Sequence, residues 1–308
     1  MRVLIGIVVG GALGFFLPGL VLWMRPALQP AFALTMFFVG TLVRPHETRA
    51  FATAPGRALA GLLCQYTIMP LGAALVSLGF ADPTTRVGIV LVGCMPGAMA
   101  SNVMTLLFAG DVVLSVTLTT VATLACPLLL ALWLPLLADT RVELPLGPLV
   151  WNAVWMVVLP AAAGALLRAR RPRMPPRWDR GATALASAAI VLILVIVVAA
   201  NREQLASLGP RLAAGMLALN LGAYALAFVA ATAMGWPKAQ RRTLVIEVGM
   251  QNAGLGSVLA LAHLGPVGAV PSAFYTVLCL VTAAAALPLR RLLDREAAGR
   301  WLAAARID

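Results

Sequence analysis

Charged residues in this chain are confined to short segments that separate long, uncharged, apolar stretches. A helix needs about 20 apolar residues to cross the hydrocarbon core of a bilayer. Eight uncharged stretches have this length or nearly so: 3–24, 26–43, 58–81, 87–110, 112–138, 144–167, 181–201 and 212–237. The region 238–290 is too long for one span, and a turn at Gly265, Pro266 and Gly268 divides it at about 238–264 and 267–290. The pattern predicts an all-α polytopic membrane protein with ten transmembrane helices.

The composition limits the classes of protein to which the chain can belong. Only 11% of its residues are charged, whereas a soluble domain carries about 25%. The net charge of +12 comes from short basic runs between the spans, so we expect contact with a lipid bilayer and no nucleic-acid partner. The four cysteines form no CxxC pair, which argues against a zinc site or a disulfide framework. Neither a catalytic set nor a Walker-type loop is visible, so we expect no enzyme and no ATP-driven pump.

The basic residues predict how the helices are oriented. Ten spans place both termini on one side of the membrane, together with every second loop. That side carries 18 of the 23 Lys and Arg residues, and the other side carries 5. Positive residues favour the cytoplasm, so we expect both termini to be cytoplasmic. The first apolar stretch lacks a convincing cleavage site, and we expect it to remain as the first helix.

The two halves of the chain resemble each other weakly. A shift of 156 positions aligns Arg86 with Arg242 and Ser101 with Ser257, which superimposes the fourth helix on the ninth. An odd number of helices per repeat forces the two copies into opposite orientations, as in many secondary transporters. We therefore predict two inverted five-helix repeats, although apolar helices also resemble one another by composition alone.

Both the fourth and the ninth helix contain residues that interrupt a helix. Pro96 and Gly97 lie in the middle of the fourth, and two glycines and two amides lie within 247–254 of the ninth. A break at membrane depth leaves backbone groups that need protein, water or ligand as partners. The free carbonyls suit a cation, and the start of a half-helix suits an anion. We favour a binding site over a simple kink, because a kink does not explain the polar side chains at the same level.

Glu247 is the only carboxylate well inside a predicted span. An ionised acid at this depth is expensive and normally has a cationic partner. No Lys or Arg is predicted near the centre of a neighbouring helix, so a bound cation is the natural partner. Oxygen ligands suit hard ions, which favours sodium. Protonation of Glu247 is the competing explanation.

These segments resemble a known family. The residues 96–105, 110–112 and 114–117, together with 247–252, are similar to the bile acid:sodium symporter family over essentially the whole chain. The resemblance implies that the fourth and ninth helices cross at their broken midpoints. It also implies a panel domain of helices one, two, six and seven and a core domain of the other six. The corresponding ranges are panel 1–55 and 139–203, core 56–138 and 204–293, and a cytoplasmic tail at 294–308.

The resemblance further implies which residues bind ligands, including two sodium ions. The first sodium site would comprise Ser101, Asn102, Ser115, Thr119 and Glu247. The second would comprise Gln65, Glu247 and Gln251 with the carbonyls of Val248 and Met250. The substrate would contact Met99, Ala100, Asn102 and Asn252. The chain has Gly97-Ala98-Met99 where family members often have Gly-Gly-Thr, so the substrate does not follow from the family.

The implied function is a sodium-coupled symporter that imports a small organic anion by alternating access. The family suggests a bile-acid-like compound, a keto acid or a vitamin precursor, and a bacterial inner membrane as the location. No obligate protein partner is evident. A proton-coupled or uniport carrier remains open, and so does a membrane sensor that binds a ligand without transporting it. The sensor is less favoured, because no soluble signalling domain is appended.

Overall fold

Helices dominate the residues that this computed structural model describes, which are 2–42, 55–139, 141–171, 173–200 and 202–304. They are α1 Arg2–Phe16, α2 Leu28–Leu42, α3 Pro55–Ser77, α4 Pro83–Gly93, α5 Ala100–Leu107, α6 Val112–Leu137, α7 Leu146–Ala153, α8 Leu159–Arg170, α9 Pro176–Ala200, α10 Arg202–Ala233, α11 Lys238–Gly249, α12 Ala253–His263 and α13 Gly265–Ala304. Two 3₁₀ turns, Pro18–Leu20 and Leu22–Ala27, lie between α1 and α2, and a π-helical turn, Val154–Val158, joins α7 to α8.

Six helical segments of the described residues are long and apolar enough to cross a membrane. They are Pro55–Ser77, Val112–Leu137, Leu146–Arg170, Pro176–Ala200, Gly209–Ala233 and Gly265–Pro288. Large apolar side chains on these segments point outward: Leu75, Leu128 and Leu136 are each at least 66% exposed. Water would disfavour such a surface, and lipid accepts it. Every named element of the described residues is helical, so the all-α prediction is confirmed for them.

The helix ends differ from the predicted span limits where a helix continues beyond its uncharged core. The eighth predicted span was 212–237, but α10 begins at Arg202. Similarly, α13 extends to Ala304 through most of the segment predicted as a charged tail. Charge-free intervals mark only the apolar part of a helix, whereas backbone hydrogen bonding continues past it. The loop with Arg44 and Arg49, and positions 305–308 of the tail, lie outside the described residues.

Helices α2 and α8 cross with their backbones in close contact. A Cβ atom added at Gly40 would collide with the backbone carbonyl of Ala161, and one added at Gly164 would collide with that of Phe37. Small residues let two helices approach until their backbones touch, which is a common way to pack helices in lipid. Helix α2 also packs on α9, and α9 packs on α1. These four helices form one contiguous group.

Arg168 connects three helices of this group, α2, α8 and α9, at one end. Its side chain is only 4% exposed, its Nε donates to the Thr41 carbonyl at 2.5 Å, and it forms an ion pair with Asp179. The Trp178 indole N–H donates to the Thr41 hydroxyl at 3.3 Å. Arg168 directly follows the predicted span 144–167, and in the fold it joins the ends of α2, α8 and α9.

The remaining helices pack around α4, α5, α11 and α12. Helix α3 contacts α4, α6 and α10, while α13 contacts α4 and α12. At one end, Asp139 accepts from both Arg86 and Arg141 at 2.8 Å. The hydrogen bonds from Arg141 hold the pKa of the Asp139 carboxyl well below its usual value. These two ion pairs connect the first turn of α4 to the loop that follows α6.

Candidate cation and anion site at the helix crossing

The two interrupted segments meet and satisfy each other's backbone groups. Helix α4 ends at Gly93 and α5 begins at Ala100, while α11 ends at Gly249 and α12 begins at Ala253. Between these ends, the Ala98 N–H donates to the Met250 carbonyl at 2.7 Å, and the Asn252 N–H donates to the Pro96 carbonyl at 2.7 Å. The result is a short antiparallel bridge between Gly97 and Gln251. Both predicted breaks are therefore present, and they cross.

Glu247 lies beside this bridge, near the C-terminal end of α11, and is fully buried. Its Oε1 accepts from the Ser101 hydroxyl at 2.5 Å and from the Ser115 hydroxyl, and its Oε2 accepts from the Thr119 hydroxyl at 2.8 Å. None of the ion pairs formed by the described residues includes Glu247. The carboxylate thus has hydroxyl donors around it and no basic partner.

Around Ser115 there are more acceptor oxygens than hydroxyl protons that could hydrogen-bond to them. The Ser115 hydroxyl also lies 2.8 Å from the Asn102 Oδ1 and 3.1 Å from the Thr105 hydroxyl. One hydroxyl carries one proton and can donate to only one of these oxygens. Oxygen-only surroundings with too few protons suit a hard cation. In the part of the chain described, no three His, Cys, Asp or Glu side chains converge as they would for zinc.

Gly97 gives the Glu247 carboxylate the room that it occupies. A Cβ atom at position 97 would lie 2.8 Å from the Glu247 Oε2, which is closer than a carbon and an oxygen normally approach, and 3.7 Å from the Gln65 Nε2. Only a residue without a side chain lets the bridge pass this close to the carboxylate. Gly97 therefore has a steric role at the crossing as well as loosening the chain.

A second group of polar side chains also lies near the bridge. Gln65 on α3 donates from its Nε2 to the Gln251 Oε1 at 3.4 Å, and the Gln251 Nε2 donates to the Val248 carbonyl at 2.9 Å. Gln65 and Gln251 are both buried. The Met250 carbonyl accepts from the Ala98 N–H. These are the residues of the predicted second sodium site, and the fold brings them together next to Glu247.

Sequence reasoning missed two residues that hold the end of α11. Asn220 on α10 donates from its Nδ2 to the Gly249 carbonyl at 2.8 Å, and the Tyr275 hydroxyl on α13 donates to the same carbonyl at 2.9 Å. Both side chains are fully buried, and the Asn220 Oδ1 accepts from the Thr282 hydroxyl at 2.7 Å. We call Asn220 and Tyr275 the carbonyl clamp. The one available signal was an amide in the middle of an apolar span, which is expensive without a partner.

A cavity of about 80 Å³ lies between the crossing and helices α2, α9 and α13. The crossing contributes Ala98, Met99, Ala100 and 251–254, and the facing helices contribute apolar side chains such as Phe32 and Ile193. No Lys, Arg or His is among its lining residues. A typical ligand pocket has about 300–1,000 Å³, so in this conformation the cavity is smaller than such a pocket.

Two half-helices begin at this cavity. Among the described residues, the backbone N–H groups of Met99, Ala100 and Gly254 have no hydrogen-bond partner. The Asn252 Oδ1 accepts from the Leu255 N–H at 3.2 Å and so caps α12. The unpaired N–H groups and the positive ends of the helix dipoles suit an anionic group.

The predicted substrate residues divide between two places. Met99, Ala100 and Asn252 line the cavity. Asn102 does not line the cavity, because its Oδ1 faces the Ser115 hydroxyl. We call Glu247 and the side chains around it, which are Ser101, Asn102, Ser115 and Thr119, the cation cluster. The other predicted sodium ligands, Ser101 and Thr119, both contact Glu247. The cation cluster and the cavity are therefore adjacent and share the bridge between them.

A multi-pass membrane protein with a buried carboxylate and an apolar cavity at the crossing of two broken helices has the features of a secondary transporter. Residues 29–208 match the model of the Sodium Bile acid symporter family. The chain belongs to this family of sodium-dependent transporters, and not to a class of enzymes.

Relatives from three kinds of organism agree with this assignment. The chain is 34% identical over 274 residues to the uncharacterized sodium-dependent transporter YocS of Bacillus subtilis, which covers 89% of this chain and 85% of the relative. It is 30% identical to a probable chloroplastic sodium/metabolite cotransporter of Arabidopsis thaliana, over 87% of this chain and 68% of the relative. It is 29% identical to the ileal sodium/bile acid cotransporter of Homo sapiens, over 76% of this chain and 68% of the relative.

Proposed function

We propose that the protein is a symporter that imports a small organic anion together with two sodium ions. The first ion would bind the Glu247 carboxylate with Ser101, Asn102, Ser115 and Thr119. The second would bind between Glu247, the side chains of Gln65 and Gln251, and the carbonyls of Val248 and Met250.

The observation that carries this proposal is the set of groups around Glu247. A fully buried carboxylate with hydroxyl neighbours and no basic partner has an unbalanced charge in a medium that penalises it. A sodium ion would balance the charge and use oxygens that the hydroxyl protons do not satisfy. Sodium-dependent relatives support the choice of this ion over others.

The anion would bind in the cavity beside the crossing. Its negative group would accept hydrogen bonds from the N–H groups of Met99, Ala100 and Gly254, and Asn252 lies within the same lining. Because the cavity is small in this conformation, the substrate would enter when the crossing moves away from α2 and α9. Relatives named for bile acids and for metabolites point to carboxylates as the first compounds to test.

This mechanism assigns the helices to two bodies that move against each other. The panel would comprise 1–55 and 139–203, and the core 56–138 and 204–293, with the tail 294–308 in the cytoplasm. The grouping of α1, α2, α8 and α9 by contact supports this division. In the proposed topology, ten transmembrane helices form two inverted five-helix repeats in a bacterial inner membrane, with both termini in the cytoplasm.

Uptake by the purified protein in proteoliposomes tests this function. Radiolabelled bile acids, keto acids and other small carboxylates are offered with an inward sodium gradient, or with potassium or choline in its place. We expect sodium-dependent uptake of at least one anion. Glu247→Gln should reduce it by about tenfold or more, since each 1.4 kcal/mol of lost cation binding is a factor of ten. The control is Glu203→Gln, because the Glu203 side chain is 79% exposed on α10.

Other outcomes would identify the alternative functions. Equal uptake in potassium or choline, together with no effect of Glu247→Gln, would reject sodium coupling. Uptake driven by a pH gradient without sodium would indicate a proton-coupled carrier. Saturable binding of an anion without any uptake would indicate a sensor.

A further inference from the structure

A second cavity, of about 500 Å³, lies between α10, α11 and α13, next to Phe108 at the end of α5. It shares no lining residue with the cavity at the crossing. Its lining divides into two chemically different parts, a basic edge and an apolar wall. We infer that this cavity binds one anionic phospholipid, with the phosphate at the basic edge and an acyl chain along the apolar wall.

The basic edge consists of Lys238, Arg241 and Arg242, which all line the cavity within the first five residues of α11. The first turn of this helix contains no acidic residue, and Pro237 at its N-cap offers no side-chain hydrogen bond. Positive side chains at a helix N-terminus oppose the helix dipole and destabilise the helix. A bound phosphate would reverse this effect, because it would be attracted to both the side chains and the dipole.

Arg241 has an unused hydrogen-bond donor. Its guanidinium lies 5.9 Å from the centre of the Phe228 ring, and its Nη1 donates to the Thr232 hydroxyl at 3.4 Å. Its Nε is buried and has no hydrogen-bond partner among the described residues. A buried donor without a partner is rare in folded proteins and is explained when a ligand supplies the acceptor. A phosphate oxygen would supply it here.

The apolar wall explains why the ligand should be a lipid and not a free anion. Val245 and Ile246 of α11 form one side, Ala283 and Ala286 of α13 form another, and Phe228 of α10 forms a third. The Phe228 side chain is 53% exposed, which is favourable for a residue that faces lipid. A free phosphate would leave this wall unused, and a lipid with no net charge would bring its own headgroup cation next to the basic edge. An anionic phospholipid complements both parts.

The proposed lipid site is next to the crossing in sequence, because Val245 and Ile246 directly precede Glu247 in α11. A lipid held along these residues would stabilise the half-helix that carries the buried carboxylate. The inference itself concerns binding alone, and its test does not depend on transport.

Native mass spectrometry of the full-length protein in detergent tests the inference. Phosphatidylglycerol and phosphatidylcholine with the same acyl chains are added in turn, and the retained lipid is measured. We expect phosphatidylglycerol to be retained about tenfold more strongly. This preference should disappear in the triple variant Lys238→Gln, Arg241→Gln, Arg242→Gln. The matched control is Arg170→Gln, Arg171→Gln, Arg173→Gln, whose three side chains are exposed at the end of α8 and just after it.

A groove-filling variant tests the acyl chain separately. Ala286→Trp should weaken phosphatidylglycerol retention about tenfold while the basic edge stays intact, and it keeps the test decisive if the triple variant unfolds. Inorganic phosphate in excess should displace little of the lipid. Equal retention of the two lipids, equal losses in the triple variant and its control, or full retention by Ala286→Trp would each overturn the inference. Complete displacement by phosphate would do so as well, because the site would then recognise the headgroup alone.

Discussion

At the scale of single residues, the site depends on how closely the bridge approaches Glu247. The carboxylate has three hydroxyl donors and no ion pair among the described residues. The space in front of its Oε2 exists because position 97 has no side chain. A cation that binds there would be enclosed by side-chain oxygens on one side and by the backbone of the bridge on the other.

Gly97→Ala should therefore disrupt the cation cluster. The added methyl group would lie 2.8 Å from the Glu247 Oε2, so either the bridge or the carboxylate must shift. We expect the sodium concentration for half-maximal uptake to rise at least about tenfold, with a loss of about 1–3 kcal/mol in the free energy of unfolding. The measurements are sodium titrations of uptake and thermal unfolding in detergent.

Gly222→Ala is the matched control for this substitution. A Cβ atom at position 222 of α10 has no neighbour within 4 Å, and alanine favours a helix by up to about 1 kcal/mol over glycine. This variant should keep its response to sodium and be as stable as the unchanged protein, or more so. An unaltered sodium titration for Gly97→Ala would show that the close approach of the bridge is irrelevant to the ion.

At the scale of elements, the two broken helices need partners for the backbone groups that each break releases. Some of these groups bond to each other within the crossing: the Ala98 N–H donates to the Met250 carbonyl, and the Asn252 N–H donates to the Pro96 carbonyl. The Gly249 carbonyl at the end of α11 instead accepts hydrogen bonds from other helices, from Asn220 on α10 and Tyr275 on α13. The carbonyl clamp therefore fixes where α11 ends, two residues after Glu247.

Removing one member of the clamp should affect both stability and sodium binding. Asn220→Ala or Tyr275→Phe leaves the buried Gly249 carbonyl with a single donor, at an expected loss of about 1–3 kcal/mol in the free energy of unfolding. Because the end of α11 is then less firmly held, we also expect weaker sodium binding. Thermal unfolding and sodium titrations of uptake measure the two effects.

Tyr66→Phe is the control that separates an effect on sodium binding from a general loss of stability. The Tyr66 hydroxyl is also buried, but it donates to the Ala122 carbonyl at 3.2 Å and not to the Gly249 carbonyl. This variant should lose stability without changing the response to sodium. If all three variants weakened sodium binding equally, the clamp would have no special role.

The breaks could be predicted from the sequence, whereas the clamp could not. Pro96 lacks an N–H group and interrupts a helix wherever it lies in the middle of a span, so its effect is local. The bonds to Gly249 join residues that are 29 and 26 positions apart and lie on different helices. Such contacts depend on how the helices pack, which apolar periodicity does not determine. The burial of Arg168 was missed for the same reason, since its partner carbonyl at Thr41 is 127 positions away.

At the scale of the whole molecule, transport requires the crossing to separate from the helices that face it. In this conformation the cavity between them holds only about 80 Å³. Phe32 of α2 lies on one side of the cavity and Gly254 of α12 on the other, and a Cβ atom at position 254 would lie 3.9 Å from the Phe32 ring. These two positions span the proposed boundary between panel and core.

A reducible crosslink across this boundary should stop transport. We expect the double variant Phe32→Cys, Gly254→Cys, joined by a short thiol-specific reagent, to lose anion uptake and to recover it after reduction. Sodium binding should persist, since neither residue is in the cation cluster. The single variants, treated with the same reagent, control for modification of the four native cysteines. Full uptake by the crosslinked protein would contradict alternating access between these two bodies.

If sodium balances the charge of Glu247 at the crossing, the purified protein must bind sodium at equilibrium, and radiolabelled sodium in choline buffer measures this. We expect saturable binding that approaches two ions per chain and that potassium does not displace. Glu247→Gln should abolish it, because both proposed sites share this carboxylate, whereas Glu203→Gln should bind sodium normally. Saturable binding that is unchanged by Glu247→Gln, or no sodium-specific binding at all, would show that Glu247 does not hold the ion.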